Sequence, residues 1–223
     1  MALLRSLNPP LAPESSNIFL LTLDDAGDAT SLPPTETERA EADTLAASHR
    51  TAFLARRRLL RRAVALRLGI APGEVLIARD AQGAPCIISP SKPIFVSLAS
   101  RGEFVAIALS DRPVGVDVEM IGGRLPEPAW NILHPSEREW LSKQRTDDQA
   151  NQFLALWCVK EAYLKAIGLG LRREATEIAV SVLNEPDVSI ADSGRPVALS
   201  TAFVSCAEAY GATAILACVV LAR

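Results

Sequence analysis

Two short stretches place chemistry-bearing residues in patterns with consequences. In Val114–Met120 (VGVDVEM) the residues alternate, with Val114, Val116, Val118 and Met120 on one face and Gly115, Asp117 and Glu119 on the other. As a strand, this segment sets the Asp117 and Glu119 Cα atoms roughly 6.5–7 Å apart with their side chains pointing the same way. Two carboxylates that close repel, and burial sharpens the repulsion. A hard divalent cation such as magnesium relieves it, taking oxygen ligands. Gly115 beside them would leave room for a ligand to approach the backbone. On this strand alone, a polar stripe facing solvent accounts for the pattern as well. The second stretch, FLALWCVKEAYLKAIGLGL from Phe153, is apolar nearly all round and predicts a buried helix. It nevertheless carries Lys160, Glu161 and Lys165, with Trp157, Glu161 and Lys165 spaced i, i+4, i+8 along one face. Glu161 and Lys165 could form a plain ion pair on the helix surface. Alternatively Glu161 adds a third carboxylate to the same metal, and Lys165 neutralises a nearby phosphate. Three carboxylates and an ammonium together suit pyrophosphate chemistry.

The elements that must position these residues are legible at intervals. Strands are predicted at 17–23, 75–79, 96–98, 103–109, 114–120, 177–183, 197–203 and 212–221. The turn Ser110-Asp111-Arg112-Pro113 reads as joining 103–109 and 114–120 into a hairpin. Thr35 and Glu38 form a capping-box pattern that opens a helix through Ala47, and Ser136 with Glu139 repeats it for a helix ending near Lys143. A long helix over 51–68 with a basic, solvated face ends at Gly69, and another runs over 150–167. Each half thus carries a long helix and about three strands. The expectation is an α+β protein of two lobes, 1–110 and 111–223, each a long helix packed on a small, mostly antiparallel sheet.

Bulk properties narrow the class. With 223 residues, 49% hydrophobic and 22% charged, the chain can bury a sizeable core. A net charge of −3 argues against a dedicated nucleic-acid binder. Cys86, Cys158, Cys206 and Cys218 form no CxxC pair and the histidines are only His49 and His134, so a structural zinc site is not expected. No apolar run reaches membrane-spanning length, and Met1–Leu11 lacks a signal-peptide core. The expectation is a cytoplasmic protein without membrane or nucleic-acid partners.

GVDVE (Gly115–Glu119) and WCVKEAYLK (Trp157–Lys165), in that order and at that separation, resemble the two signature motifs of the Sfp-type 4′-phosphopantetheinyl transferases. The segment FVSLASRGEFVAIALSDRPVGVDVE resembles the family's F-N-x-S-H-S-G stretch together with the hairpin after it. ILHPSEREWL and ARRRLLRRAVALRLGIAPGEV resemble two family helices. The resemblance implies two pseudo-symmetric lobes with coenzyme A in the cleft and a monomeric enzyme. Such an enzyme moves the phosphopantetheine arm to a serine of an acyl, peptidyl or aryl carrier protein, releasing 3′,5′-ADP. It implies that Asp117, Glu119 and Glu161 hold Mg2+. Glu161, Lys165 and Asp117 would carry the catalysis, with Glu161 or a water it orients deprotonating the serine. Ser100, Arg101, Arg50, Lys160 and Lys165 would contact the coenzyme.

The chain departs from the family pattern at its phosphate contacts. The family histidine falls on Ser100, the basic residue of its G-[KR]-P turn on Ala84, and an arginine of its first-lobe helix on Ala52. Each lost charge-assisted bond is worth about 1.5–3 kcal/mol. Arg50 stands two residues before Ala52. An alternative reading is a homologue that grips a carrier protein or a coenzyme fragment without transfer, or that acts on another diphosphate.

Overall fold

The computed structural model describes residues 16–122, 127–184, 187–209 and 212–222, so Met1–Leu11 lies outside the described residues. The chain divides into two units, Met1–Asp111 and Arg112–Arg223. In the first, β1 (Ser16–Thr22) leads through the 3-10 turn Leu23–Ala26 to α1 (Glu36–Asp43) and α2 (Ala47–Leu68). After the 3-10 turn Pro72–Glu74 come β2 (Leu76–Arg79), β3 (Pro85–Ser89), β4 (Phe95–Arg101) and β5 (Phe104–Ser110). β5 lies between β1 and β4, while β2 and β3 form a separate hairpin. In the second unit, β6 (Val114–Met120) leads through Glu127–Ile132 to α3 (Pro135–Ser142) and α4 (Thr146–Ala166). Next come β7 (Ile178–Asn184), β8 (Asp187–Asp192), β9 (Arg195–Pro196), β10 (Leu199–Ala209) and β11 (Ala212–Leu221), in the order β6-β11-β10-β8-β7 with β9 on β8. Every pairing is antiparallel. The fold is the α+β arrangement expected, a long helix on an antiparallel sheet in each unit. Leu59, Leu60 and Val64 of α2 pack with Val105, Ile107 and Leu109 of β5. Leu156, Val159 and Leu164 of α4 pack with Ile215, Ala217 and Val219 of β11.

Local chemistry explains the helix ends. The Thr35 hydroxyl accepts from Glu38 N (3.2 Å) and the Glu38 carboxylate from Thr35 N (2.9 Å), which starts α1. α2 stops where Gly69 turns left-handed at φ +66, a conformation that glycine adopts without steric cost.

Several expectations change. The segments 103–109 and 114–120 do not pair as a hairpin: β5 pairs with β1 and β4, and β6 with β11. Their connection is the passage from one unit to the next, and Leu221 N donates to Pro113 O there (3.0 Å). α3 starts two residues earlier than the Ser136–Glu139 pattern indicated. Pro135 takes the first helical position, which suits its fixed φ, and Glu137 accepts from His134 N at 2.8 Å. Glu139 instead pairs with Lys143 across a helical turn. β3, β8 and β9 are additions to the expected strands: Pro85–Ser89 lacks alternation, Arg195–Pro196 is only two residues long, and in Asp187–Asp192 only Val188 and Ile190 alternate with polar neighbours.

The basic face of α2 is not a solvated one. Arg58 donates to Gly27 O and Leu32 O, and Arg62 to Asp25 O and Ala26 O. Arg57 binds Glu41 of α1. Arg58 and Arg62 satisfy carbonyls that the irregular segment before α1 leaves without backbone partners.

The two units share a buried device. In the first, Arg61 of α2 is 3% exposed; its Nη1 donates to Pro33 O (2.9 Å) and Glu38 Oε2 (3.4 Å), and its Nε to Pro72 O (3.2 Å). In the second, Lys160 of α4 is 0% exposed, and its Nζ donates to Ile132 O (3.1 Å) and Ala175 O (2.7 Å) and pairs with Glu137 Oε2 (2.7 Å). Both times the acid is the third residue after the short helix's N-cap. One carbonyl lies two residues before that N-cap, and the other opens a 3-10 turn beyond the long helix. One buried cation thus ties three segments to each long helix.

Candidate active site

β6 and α4 meet at Gly115. A Cβ built there would lie 1.7 Å from Ala162 O and 2.7 Å from Ala166 N, so only glycine lets the helix backbone come this close. The space at Gly115 is therefore filled by α4, not left for a ligand as its sequence position suggested. Ala162 follows Glu161 and Ala166 follows Lys165, so this close approach sets both side chains near the Asp117 and Glu119 face of β6. The contact converts two sequence periodicities, two for the strand and 3.6 for the helix, into one site.

Lys165 Nζ donates to Asp117 Oδ1 at 2.7 Å and to Val116 O at 3.1 Å. Asp117 is 7% exposed. Among the described residues its Oδ2 is buried without a hydrogen-bond partner, and so is Glu161 Oε1. Burial pushes the Glu161 carboxyl up from its ordinary value, the charges of Asp117 and Glu119 push it further, and Lys165 opposes them. The charges of Asp117 and Glu119 thus reach Glu161. Cys158, one turn before Ala162, sits beside them. Burial, then the Asp117 and Glu119 charges, push its thiol well above its ordinary value, and its Sγ lies 3.8 Å from Ile215 O. It is a neutral, packed thiol, and its nearness to the carboxylates left no signal in the sequence.

Among the described residues, no group of three His, Cys, Asp or Glu side chains stands ready-clustered around a metal position. The Lys165 ammonium occupies one oxygen of Asp117. The fit of the donor set to a hard cation rests on the two orphaned oxygens, since buried acceptors left without partners are costly and call for a cation or a donor.

The remaining residues singled out in the sequence are elsewhere. Lys160 is not at the carboxylates; it is consumed in the buried tie to Glu137, Ile132 O and Ala175 O. The resemblance implied a ligand contact for it, but the carbonyls that hold it come from segments distant in sequence. Glu137 is likewise spent inside, accepting from His134 N and Val180 N at 2.8 Å each. Arg50, Ser100 and Arg101 belong to the first unit and are exposed. Arg50 donates to Leu45 O and Asp43 O and pairs with Asp43 at 3.6 Å. Ala84 is exposed in the β2–β3 turn, where Asp80 N donates to Ala84 O.

An antiparallel α+β unit with acids on its first strand, crossed at a glycine by a helix carrying Glu and Lys, is a recognisable class. Residues 113–215 match the family model described as the 4′-phosphopantetheinyl transferase superfamily. The 4′-phosphopantetheinyl transferase gsp of Aneurinibacillus migulanus is 31% identical over 113 residues, 51% of this chain and 46% of that protein. The 4′-phosphopantetheinyl transferase Sfp of Bacillus subtilis is 27% identical over 146 residues, 64% of each chain. The 4′-phosphopantetheinyl transferase HetI of a Nostoc species is 30% identical over 139 residues, 60% of this chain and 59% of that protein. Over residues 113–215 the chain is similar to this superfamily, and its matches span about half to two thirds of the relatives' own lengths.

Proposed function

We propose that the chain transfers the 4′-phosphopantetheine arm of coenzyme A to a serine of an apo carrier protein, as a magnesium-dependent cytoplasmic monomer. Relatives named for this activity support the reading. The observation that carries it is the pair of orphaned oxygens, Asp117 Oδ2 and Glu161 Oε1, beside Lys165. Asp117, Glu119 and Glu161 would hold Mg2+, which when bound supplies charge neutralisation to a pyrophosphate.

The chain's own groups do the rest. The carrier serine's oxygen forms a bond to the phosphorus next to pantetheine. The bond between that phosphorus and the bridging oxygen breaks, and 3′,5′-ADP leaves with the bridge electrons. The serine proton goes to Glu161, directly or through a water held by its free oxygen. Lys165 shifts from Asp117 towards phosphate oxygens as negative charge collects on the leaving group. Its side chain is 28% exposed, which leaves the ammonium within reach of a ligand.

Intact-mass measurement of apo carrier proteins incubated with the chain, coenzyme A and magnesium tests this. The expected result is a gain of one phosphopantetheine, lost in Asp117→Asn and Glu161→Gln. No gain on any carrier from folded protein would overturn the reading. Among the described residues no helix is long and apolar enough to cross a membrane.

A further inference from the structure

The two charged lysines of α4 stand in opposite situations. Lys160 is fully buried, and its three N–H donors are met by Ile132 O, Ala175 O and the Glu137 carboxylate. Lys165, five residues on, spends two of its donors, on Asp117 Oδ1 (2.7 Å) and Val116 O (3.1 Å). Among the described residues its third donor meets no acceptor, and its side chain is open to solvent in part. Glu161 stands one turn earlier on the same helix, yet the ammonium reaches across to β6 and leaves Glu161 Oε1 without a partner among the described residues. Asp117 is the acid that it meets, and Asp117 is buried. A buried carboxylate needs a cation, and in the resting chain that cation is Lys165.

We propose that Lys165 is an internal counter-cation of the carboxylate site, bound to Asp117 at rest and drawn off by the diphosphate of the substrate, so that divalent metal and diphosphate each raise the other's affinity. The inference rests on the proposed use of Asp117, Glu119 and Glu161 as metal ligands. A divalent cation arriving alone at Asp117 Oδ2 and Glu161 Oε1 meets an ammonium already on the other oxygen of Asp117, and the two positive centres repel. A diphosphate relieves this from both sides. Its oxygens complete the coordination of the metal, and they accept the N–H donors that Lys165 gives up at β6. The exchange needs no movement of the helix. α4 is fixed against Gly115 at Ala162 and Ala166, so only the side chain of Lys165 swings. Coupling of this kind is reciprocal, and it appears in metal binding before any transfer takes place.

Manganese titration of the full chain tests this, followed by electron paramagnetic resonance with and without coenzyme A and with no carrier protein present. The variants are Lys165→Met and Lys165→Gln, the second of which keeps an N–H donor for Asp117 without the charge. Melting temperature is the fold control. Without coenzyme A, both variants should bind manganese about ten-fold more tightly than the wild type, within the usual range of coupling between sites. Coenzyme A should tighten manganese in the wild type, and by a smaller factor in the variants. Unchanged manganese affinity in the variants overturns the inference and leaves Lys165 a phosphate contact only. Weaker affinity overturns it too, and makes Lys165 a strut that orients Asp117. Equal tightening by coenzyme A in all three chains removes the coupling. A wild-type chain that modifies a carrier while its variants bind manganese as before keeps the transferase reading and loses this one. Variants that tighten manganese in a chain that modifies no carrier do the reverse. No manganese bound by any of the three chains removes the metal site and this inference together.

Discussion

At the residue scale, Gly115 and Asp117 carry different obligations on the same strand face. Gly115 is where α4 touches β6, and the contact is with backbone, which cannot swing aside. Gly115→Ala is expected to cost about 3 kcal/mol in urea unfolding, the upper range for overpacking, and to lower transfer activity even where the protein stays folded, because Glu161 and Lys165 move with the helix. Asp117 carries a ligand obligation instead. Its Oδ1 is met by Lys165, and among the described residues its Oδ2 has no hydrogen-bond partner. Magnesium at a hundred times its dissociation constant should therefore stabilise the wild-type chain by about 2.7 kcal/mol. Asp117→Asn should remove most of that stabilisation, as read from melting curves with and without magnesium. An equal rise in the variant would show that the metal binds elsewhere.

At the element scale, the ties between the short and long helices decide what α4 can present. Lys160 holds α4 to the segment before α3 and to the 3-10 turn after α4, and Glu137 completes the tie while also capping His134 N and Val180 N. Removing one member of a buried charge pair costs about 3–5 kcal/mol. Glu137→Ala should fall at that end, because it strands an ammonium and two backbone donors together. Lys160→Met should cost less, because it leaves Glu137 with both backbone donors and fills the volume. Denaturant unfolding gives the order, and a reversal would mean that the ammonium is what the element depends on. This layer is only partly legible in the sequence. Alternation in Val114–Met120 and the four-residue spacing of Trp157, Glu161 and Lys165 are local, so strand and helix periods alone put Asp117 with Glu119 on one strand face and Glu161 with Lys165 on one helix face. Lys160 looks like part of the site because it adjoins Glu161. Its partners Ile132 O and Ala175 O lie 28 and 15 residues away and are backbone atoms, which leave no mark in side-chain pattern. The pairing of β6 with β11 rather than β5 is of the same kind, since its register is set by tertiary contact across about a hundred residues.

At the scale of the whole molecule, the repeat of the buried cation shows how far the two units correspond and where they part. Arg61 with Glu38 and Pro33 O stands to α2 as Lys160 with Glu137 and Ile132 O stands to α4. Aligned on those cations, Glu161 corresponds to Arg62 and Lys165 to Leu66, while β1, at the place of β6, reads SNIFLLT and holds no acid. Arg62 is spent on Asp25 O and Ala26 O, and Leu66 is 60% exposed. The scaffold is thus present twice and the carboxylate chemistry once. The expected stoichiometry is one divalent ion per chain, counted by manganese electron paramagnetic resonance on the full protein. Glu161→Gln should abolish the bound signal, whereas Arg62→Gln should leave it intact while loosening the first unit. A second tight ion that survives Glu161→Gln would place metal-binding oxygens outside the β6–α4 site, and the first unit's helix and strand offer no carboxylate there to hold it.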